Sequence, residues 1–179
     1  MKIKTLLVGI FAILLSTTFG ASAYAEILSI SAGIPVTQTF SDEYISSTST
    51  SGFMVHASIP MLPGLGMEQY DTVLDDDPDI DMVSTTMYDL FYLLPIPIIN
   101  VTIGAGFGTA TATTWVDSIE TYNDATMIQY YAQVGFPFFP FLDVHVSYHV
   151  LTGTLENTSG GDDISLGGNV IGVGVAFTF

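Results

Sequence analysis

Over much of its length the chain alternates between apolar and small or polar residues. Val101, Ile103, Ala105 and Phe107 are interleaved with Asn100, Thr102, Gly104, Gly106 and Gly108. The same period of two sets Ile128, Tyr130, Ala132 and Val134 against Gln129, Tyr131, Gln133 and Gly135. It returns as Leu142, Val144, Val146, Tyr148 and Val150 against Asp143, His145, Ser147 and His149. At the end of the chain, Ile171, Val173, Val175, Phe177 and Phe179 alternate with Gly172, Gly174, Ala176 and Thr178. A strand sends successive side chains to opposite faces, so each segment predicts a strand with one wholly apolar face. A soluble sheet turns its second face to water with charged residues. Here the second face of the last segment has no charge and almost no bulk, which fits lipid on one side and a crowded barrel interior on the other. A one-residue slip would place Asp143 and both nearby histidines in hydrocarbon, so the register is strongly specified.

Proline-centred apolar clusters at Ile59–Gly64, Leu94–Pro97 and Phe136–Pro140 divide the pattern. Proline cannot donate to a strand ladder, so each cluster is expected to end one strand and start the next. Polar or acidic stretches at Ser41–Ser51, Asp71–Asp81, Thr113–Thr126 and Gly153–Asp163 fall between them. Short apolar turns thus alternate with longer polar loops, the asymmetry of an outer-membrane barrel. The predicted strands are Ile27–Phe40, Gly52–Ile59, Leu65–Tyr70, Met82–Leu93, Ile98–Ala112, Met127–Phe136, Phe141–Thr152 and Ile164–Phe179. Their even number puts both termini on the periplasmic side. The expected fold is all-β: an eight-stranded antiparallel up-and-down transmembrane β-barrel. Aromatic belts are expected at the headgroup levels. Phe91, Tyr92, Phe136, Phe138, Phe139, Phe141, Phe177 and Phe179 would form the periplasmic belt, and Phe40, Tyr70, Trp115 and Tyr122 the outer one.

Composition sharpens this picture. Lys2 and Lys4 precede an apolar run from Leu6 to Leu15, and Ala23-Tyr24-Ala25 supplies a small-x-small site. This predicts a secretory signal peptide over residues 1–25, cleaved after Ala25, and a barrel domain over residues 26–179. No later segment offers the roughly 18 apolar residues of a membrane-spanning helix. With no cysteine, disulfides and lipidation at a cysteine are excluded. The two basic residues both lie in the signal peptide, while all 18 acidic residues lie beyond it. Nucleic acid is therefore excluded as a partner, since phosphate binding needs Lys and Arg.

The chain ends on Phe, with a second Phe two residues earlier. This resembles the C-terminal assembly signal of Gram-negative outer-membrane barrels, and it implies that the barrel-assembly machinery reads Phe177 and Phe179. Residues 26–179 together resemble the small eight-stranded outer-membrane proteins of the broad OmpA-like barrel group. The nearest likeness is to a little-characterised set with a Pro-rich turn like Ile59-Pro-Met-Leu-Pro63 ahead of a strand like Met87-Tyr-Asp-Leu-Phe-Tyr-Leu-Leu94. The resemblance implies fold and an outer-membrane location, and it brings no catalytic residues. The absence of Lys and Arg beyond Lys4 removes the interior salt bridges common in such barrels.

Eight strands enclose a space just wide enough for side chains. The residues expected to form an interior polar network are His56, Glu68, Asp89, Asn100, Gln129, Gln133, Asp143, His145 and His149. Buried carboxylates without Arg or Lys need hydrogen-bond donors or an imidazole, so at least one histidine is expected to pair with an inward acid, Asp143 being a local choice. The run Asp75, Asp76, Asp77, Asp79 and Asp81 has two readings: solvated charge, or weak capture of Ca²⁺ or Mg²⁺. No other cofactor is implied. Asp143-x-His145-x-Ser147 resembles part of the motif of outer-membrane lipid A deacylases, with Tyr148 where that motif has Asn. Three functions follow in order of preference. The first is a structural or surface-interaction barrel in contact with outer-membrane lipid, meeting a surface ligand or a neighbouring cell. A narrow cation-favouring conduit is second, and a lipid A hydrolase comes well behind. A secreted soluble sandwich is the competing architecture.

Overall fold

The computed structural model describes residues 28–42, 45–59, 61–75, 80–94, 96, 99–114, 121–139 and 141–179. The expected signal peptide and its cleavage site lie outside these residues. The described chain forms β1 (Ser29–Phe40), β2 (Ser46–Ser58), β3 (Gly64–Asp75), β4 (Ile80–Leu94), β5 (Asn100–Thr114), β6 (Ala125–Phe139), β7 (Leu142–Thr152), β8 (Thr154–Leu155), β9 (Ile164–Ser165) and β10 (Gly168–Thr178). Eight of them close into one antiparallel barrel in the order β1-β10-β7-β6-β5-β4-β3-β2, and β8 pairs with β9 in a separate ribbon. Closure is made at the chain ends, where Phe179 N donates to Leu28 O at 2.9 Å. Among the described residues it leaves the eight-stranded sheet no open edge, the condition for strands in a bilayer.

The alternation read from sequence is the alternation of the wall. On β7, Val144, Val146, Tyr148 and Val150 are exposed while His145, Ser147, His149 and Leu151 are buried. On β6, Ile128, Tyr130, Val134, Phe136 and Phe138 are exposed and Met127, Gln129 and Tyr131 are buried. Ile30, Ile34, Val55, Leu65, Leu90, Ile103, Phe107, Ile171, Val173 and Phe177 continue the exposed apolar surface around the circumference. A wall so apolar on its outside has no water-compatible reading as a monomer and suits acyl chains.

Several boundaries differ from those expected. β2 and β3 are much longer than the segments Gly52–Ile59 and Leu65–Tyr70, because Ser46–Ser51 pairs with Asp71–Asp75 and carries the ladder outward. Threonine and serine accept extended backbone readily, and polarity does not stop a strand once it has left the bilayer. The first two connections at the loop end, residues 41–45 and 76–79, are therefore as short as the turns at the terminal end. β6 runs through Pro137 to Phe139, with a register shift between them that absorbs the missing N–H. The last predicted strand divides: Ile164–Ser165 joins the ribbon, and β10 starts only at Gly168. Tyr70 and Phe91 are buried and face the interior instead of joining the aromatic belts. Trp115 lies outside the described residues.

The interior is layered along the barrel axis. Nearest the termini is a cavity of about 430 Å³ whose lining includes Ser31, Asn100, Gln133, Asp143 and His145. Above it lies a buried polar layer. From there to the loop end runs an apolar plug containing Met54, Met87, Met127, Val83, Leu151 and Val170. Leu155 from β8 and Leu166, just after β9, are fully buried on top of this plug. The fourth loop is thus a cap, and the bridge Tyr122–Asn157 ties the third loop to it. Each fully buried apolar side chain of this size contributes about 1.5–3 kcal/mol.

Candidate functional site

The polar layer is assembled from five strands. His56 on β2, Glu68 on β3, Asp89 on β4, Gln129 on β6 and His149 on β7 all occupy inward positions and are all buried. Room for them comes from glycine on the neighbouring strand. His56 pairs with Gly66 and Asp89 with Gly106 in the ladders. A Cβ at Gly66 would stand 2.1 Å from His56 Cδ2, and one at Gly106 would stand 2.0 Å from Asp89 Oδ1. The side chains therefore lie flat against bare backbone and point towards the barrel axis.

Glu68 is the hub. Its Oε1 lies 3.1 Å from His56 Nε2, and its Oε2 accepts from Gln129 Nε2 at 3.1 Å. Gln129 Nε2 also donates to Asp89 Oδ1 at 2.6 Å, so one amide holds two carboxylates. His149 Nδ1 lies 3.5 Å from Glu68 Oε2, and Asp89 Oδ2 lies 3.9 Å from His56 Nε2. Neither Asp89 Oδ2 nor His149 Nδ1 makes a hydrogen bond. Both histidines are held on their far side by a serine: Ser31 Oγ is 3.3 Å from His56 Nδ1, and Ser147 Oγ is 2.8 Å from His149 Nε2. Phe91 meets the His56 ring edge-on at 5.5 Å, and Tyr131 stacks on His149 at 4.7 Å. Tyr70 closes the layer from above, donating to Gln129 Oε1 at 3.4 Å.

The other residues expected inside divide by height. Asn100 donates to Asp143 near the terminal end, where both line the cavity with Gln133 and His145. The histidine–acid contacts are thus made by Glu68 and Asp89, while the carboxylate of Asp143 goes to an amide. His145 Nδ1 is buried without a hydrogen bond. Of the acidic run, Asp76, Asp77 and Asp79 lie outside the described residues, Asp75 ends β3, and Asp81 is half-buried on β4.

Asp143, His145 and Ser147 do not assemble as acid, base and nucleophile. The imidazole nearest Ser147 is His149, and Ser147 itself is packed in: a Cβ at Gly172 would meet Ser147 Oγ at 2.6 Å and Met54 Sδ at 2.8 Å. A nucleophile needs room for a reacting carbonyl beside it, and this one has side chains there instead. What the layer does offer is a set of converging donor atoms. One atom each from His56, Glu68 and Asp89 lie within 4.8 Å of one another.

Sequence reasoning missed Ser31, Tyr70 and Phe91 as members of this layer. Tyr70 and Phe91 stand two positions beyond Glu68 and Asp89, so their parity placed them inside. Ser31 had no such neighbour to mark it.

No protein-family model and no curated protein sequence matches the chain. Solved structures do share its architecture. Neisserial surface protein A aligns with a TM-score of 0.57 and 13% identity, covering 85% of this chain and 97% of that one. Outer membrane protein W of E. coli aligns at 0.57 and 15%, covering 88% and 100%. The outer membrane protein OprG from Pseudomonas aeruginosa aligns at 0.54 and 9%, covering 87% and 96%. At such identities the likeness is one of fold, and the fold is that of the small eight-stranded outer-membrane β-barrels.

Proposed function

We propose that this chain is an outer-membrane barrel that acts as a structural or surface-interaction component, closed to solute passage. One observation carries the reading: interior packing is unbroken from the Glu68 layer through Met87, Met127, Leu151 and Val170 to Leu155 and Leu166 beneath the loops. A cation-favouring conduit would need these side chains to leave the axis together, exposing dry apolar surface to water. The hydrolase reading draws no support from the packed surroundings of Ser147.

In the membrane, the exposed apolar wall meets lipid and the end bearing both termini faces the periplasm. Phe177 and Phe179 are exposed at that end, accessible to the assembly machinery. At the loop end Asp124, Glu156, Asp162 and Asp163 are exposed. No Lys or Arg occurs beyond Lys4, so a surface partner docking there brings its own positive charge.

The test is made on purified barrel in planar bilayers. The expected record shows no sustained steps from protein whose migration on a denaturing gel shifts on heating, the sign of a folded barrel. Sustained cation-selective steps from that same material would overturn the closed reading.

A further inference from the structure

We propose that His56, Glu68 and Asp89 form a three-donor site for a first-row divalent transition-metal ion, Zn²⁺ being the natural probe, inside the barrel. Glu68 is 0% and Asp89 3% exposed, and the chain has no Lys or Arg beyond Lys4 to neutralise them. Burying carboxylates without a counter-charge is costly. One divalent ion bound to two carboxylates and one neutral imidazole leaves the site without net charge.

Geometry agrees. Four donors on tetrahedral bonds of Zn²⁺ length stand about 3.3 Å apart. The separations here are 3.1 Å from His56 Nε2 to Glu68 Oε1 and 3.9 Å from His56 Nε2 to Asp89 Oδ2. One donor atom from each of the three residues lies within 4.8 Å of the other two, and Asp89 Oδ2 is buried without a hydrogen bond, leaving a lone pair uncommitted. The remaining atoms of each ligand are tied elsewhere. Asp89 Oδ1 and Glu68 Oε2 accept from Gln129, and His56 Nδ1 lies against Ser31 Oγ. With an ion in place, His56 keeps its proton on Nδ1 and donates to that hydroxyl, leaving Nε2 to coordinate. Such outer contacts fix ring orientation and tautomer in metal sites. Donor chemistry selects the ion: Ca²⁺ requires six to eight oxygens and Mg²⁺ an octahedral shell rich in water, whereas imidazole with carboxylate suits zinc and its neighbours. His56 also lines the 430 Å³ cavity, so an ion reaches the site from the terminal end and a fourth position can hold water or a small ligand. The site depends on interior geometry alone and not on whether the barrel conducts.

The experiment uses the folded barrel in detergent micelles, stripped with chelator and then titrated with Zn²⁺ alone. Calorimetry with elemental analysis is expected to find one ion per chain. His56→Ala and Asp89→Asn should weaken binding by more than the about 10- to 100-fold that outer-contact changes cost, and Ser31→Ala by an amount within that range. Asp143→Asn, inside the same barrel but bonded to Asn100, should bind as the parent does. Heat-dependent gel migration reports folding of each variant. Should a ligand variant fail to fold, the parent still decides: Co²⁺ should give the intense visible bands of a four-coordinate N/O site, lost on adding Zn²⁺. Absence of binding by the folded parent overturns the proposal. So does equal binding in folded His56→Ala and Asp89→Asn, which would assign the ion to the acidic loops.

Discussion

Gln129 joins three buried polar groups, so the interior absorbs its loss poorly. Its amide nitrogen donates to Glu68 Oε2 and Asp89 Oδ1, and its oxygen accepts from Tyr70. Gln129→Leu keeps most of the volume but leaves two buried carboxylates and a phenol short of a partner. Unsatisfied buried polar groups cost about 1–3 kcal/mol each and charged ones more, so three of them predict a loss of at least about 3 kcal/mol in urea unfolding of the detergent-folded barrel. Gln133→Leu, two inward positions nearer the termini and half-buried beside the cavity, should cost under about 1 kcal/mol. Equal losses would mean that the amide of Gln129 does not hold the layer together. Both glutamines were legible as inward residues from alternation alone. Their unequal roles were not, because the carboxylates that Gln129 holds come from positions 61 and 40 residues away. Tyr70 was misread for a related reason: an aromatic at the apparent outer end of a short strand looks like a headgroup anchor. β3 continues five residues further, to Asp75, and turns that same position into the middle of the wall.

Between elements, the recurrent device is a bulky inward residue facing glycine across the ladder. His56 faces Gly66, Met87 faces Gly108, Asp89 faces Gly106, Phe91 faces Gly64, Tyr131 faces Gly104 and His145 faces Gly174. Eight strands leave too little width for large residues at every interior position, so each strand makes space for its neighbour. The glycines were visible in the sequence as small inward residues, and they read equally well as the lining of an aqueous path. The register shows which bulky inward residue covers each one. Gly66→Ala tests the device. Its new Cβ would press on the His56 ring, and overpacking of this kind costs about 1–3 kcal/mol. Gly167→Ala meets nothing nearer than 3.5 Å and should change unfolding by less than about 0.5 kcal/mol. If both substitutions proved silent, His56 would have slack to move, and the donor geometry at Glu68 would not be held by the wall.

At the scale of the whole molecule, the outer surface divides into an apolar zone and a hydroxyl-rich zone. On β6 the outward residues Phe138, Phe136, Val134, Ala132, Tyr130 and Ile128 give way to Thr126. On β5, Ile103, Ala105 and Phe107 give way to Thr109, Thr111 and Thr113, and β7 ends its apolar face at Thr152. Ten steps of strand at about 3.3 Å, tilted by about 40°, rise roughly 25 Å, the height of a barrel's hydrocarbon band. The ladders of β2 and β3 therefore stand clear of lipid where Ser46–Ser51 meets Asp71–Asp75, which is how polar tracts that resemble loops can extend strands. A lysine scan along one strand locates this band. Val146 on β7 is exposed midway up the wall and pairs with Val134 and Val173, themselves exposed. Val146→Lys should cost about 2–4 kcal/mol for the barrel folded in lipid, the charge being held at the bilayer midplane, and Thr152→Lys about 0–1 kcal/mol near the interface. The measurement is reversible urea unfolding in vesicles. In a water-soluble sandwich with the same alternation, Val146 would lie against a second protein layer, and neither cost would depend on the presence of lipid. A cost at Val146 that falls to the level of Thr152 in the absence of any bilayer or detergent band would therefore trace the penalty to hydrocarbon, and a cost unchanged by lipid would count against a membrane wall altogether.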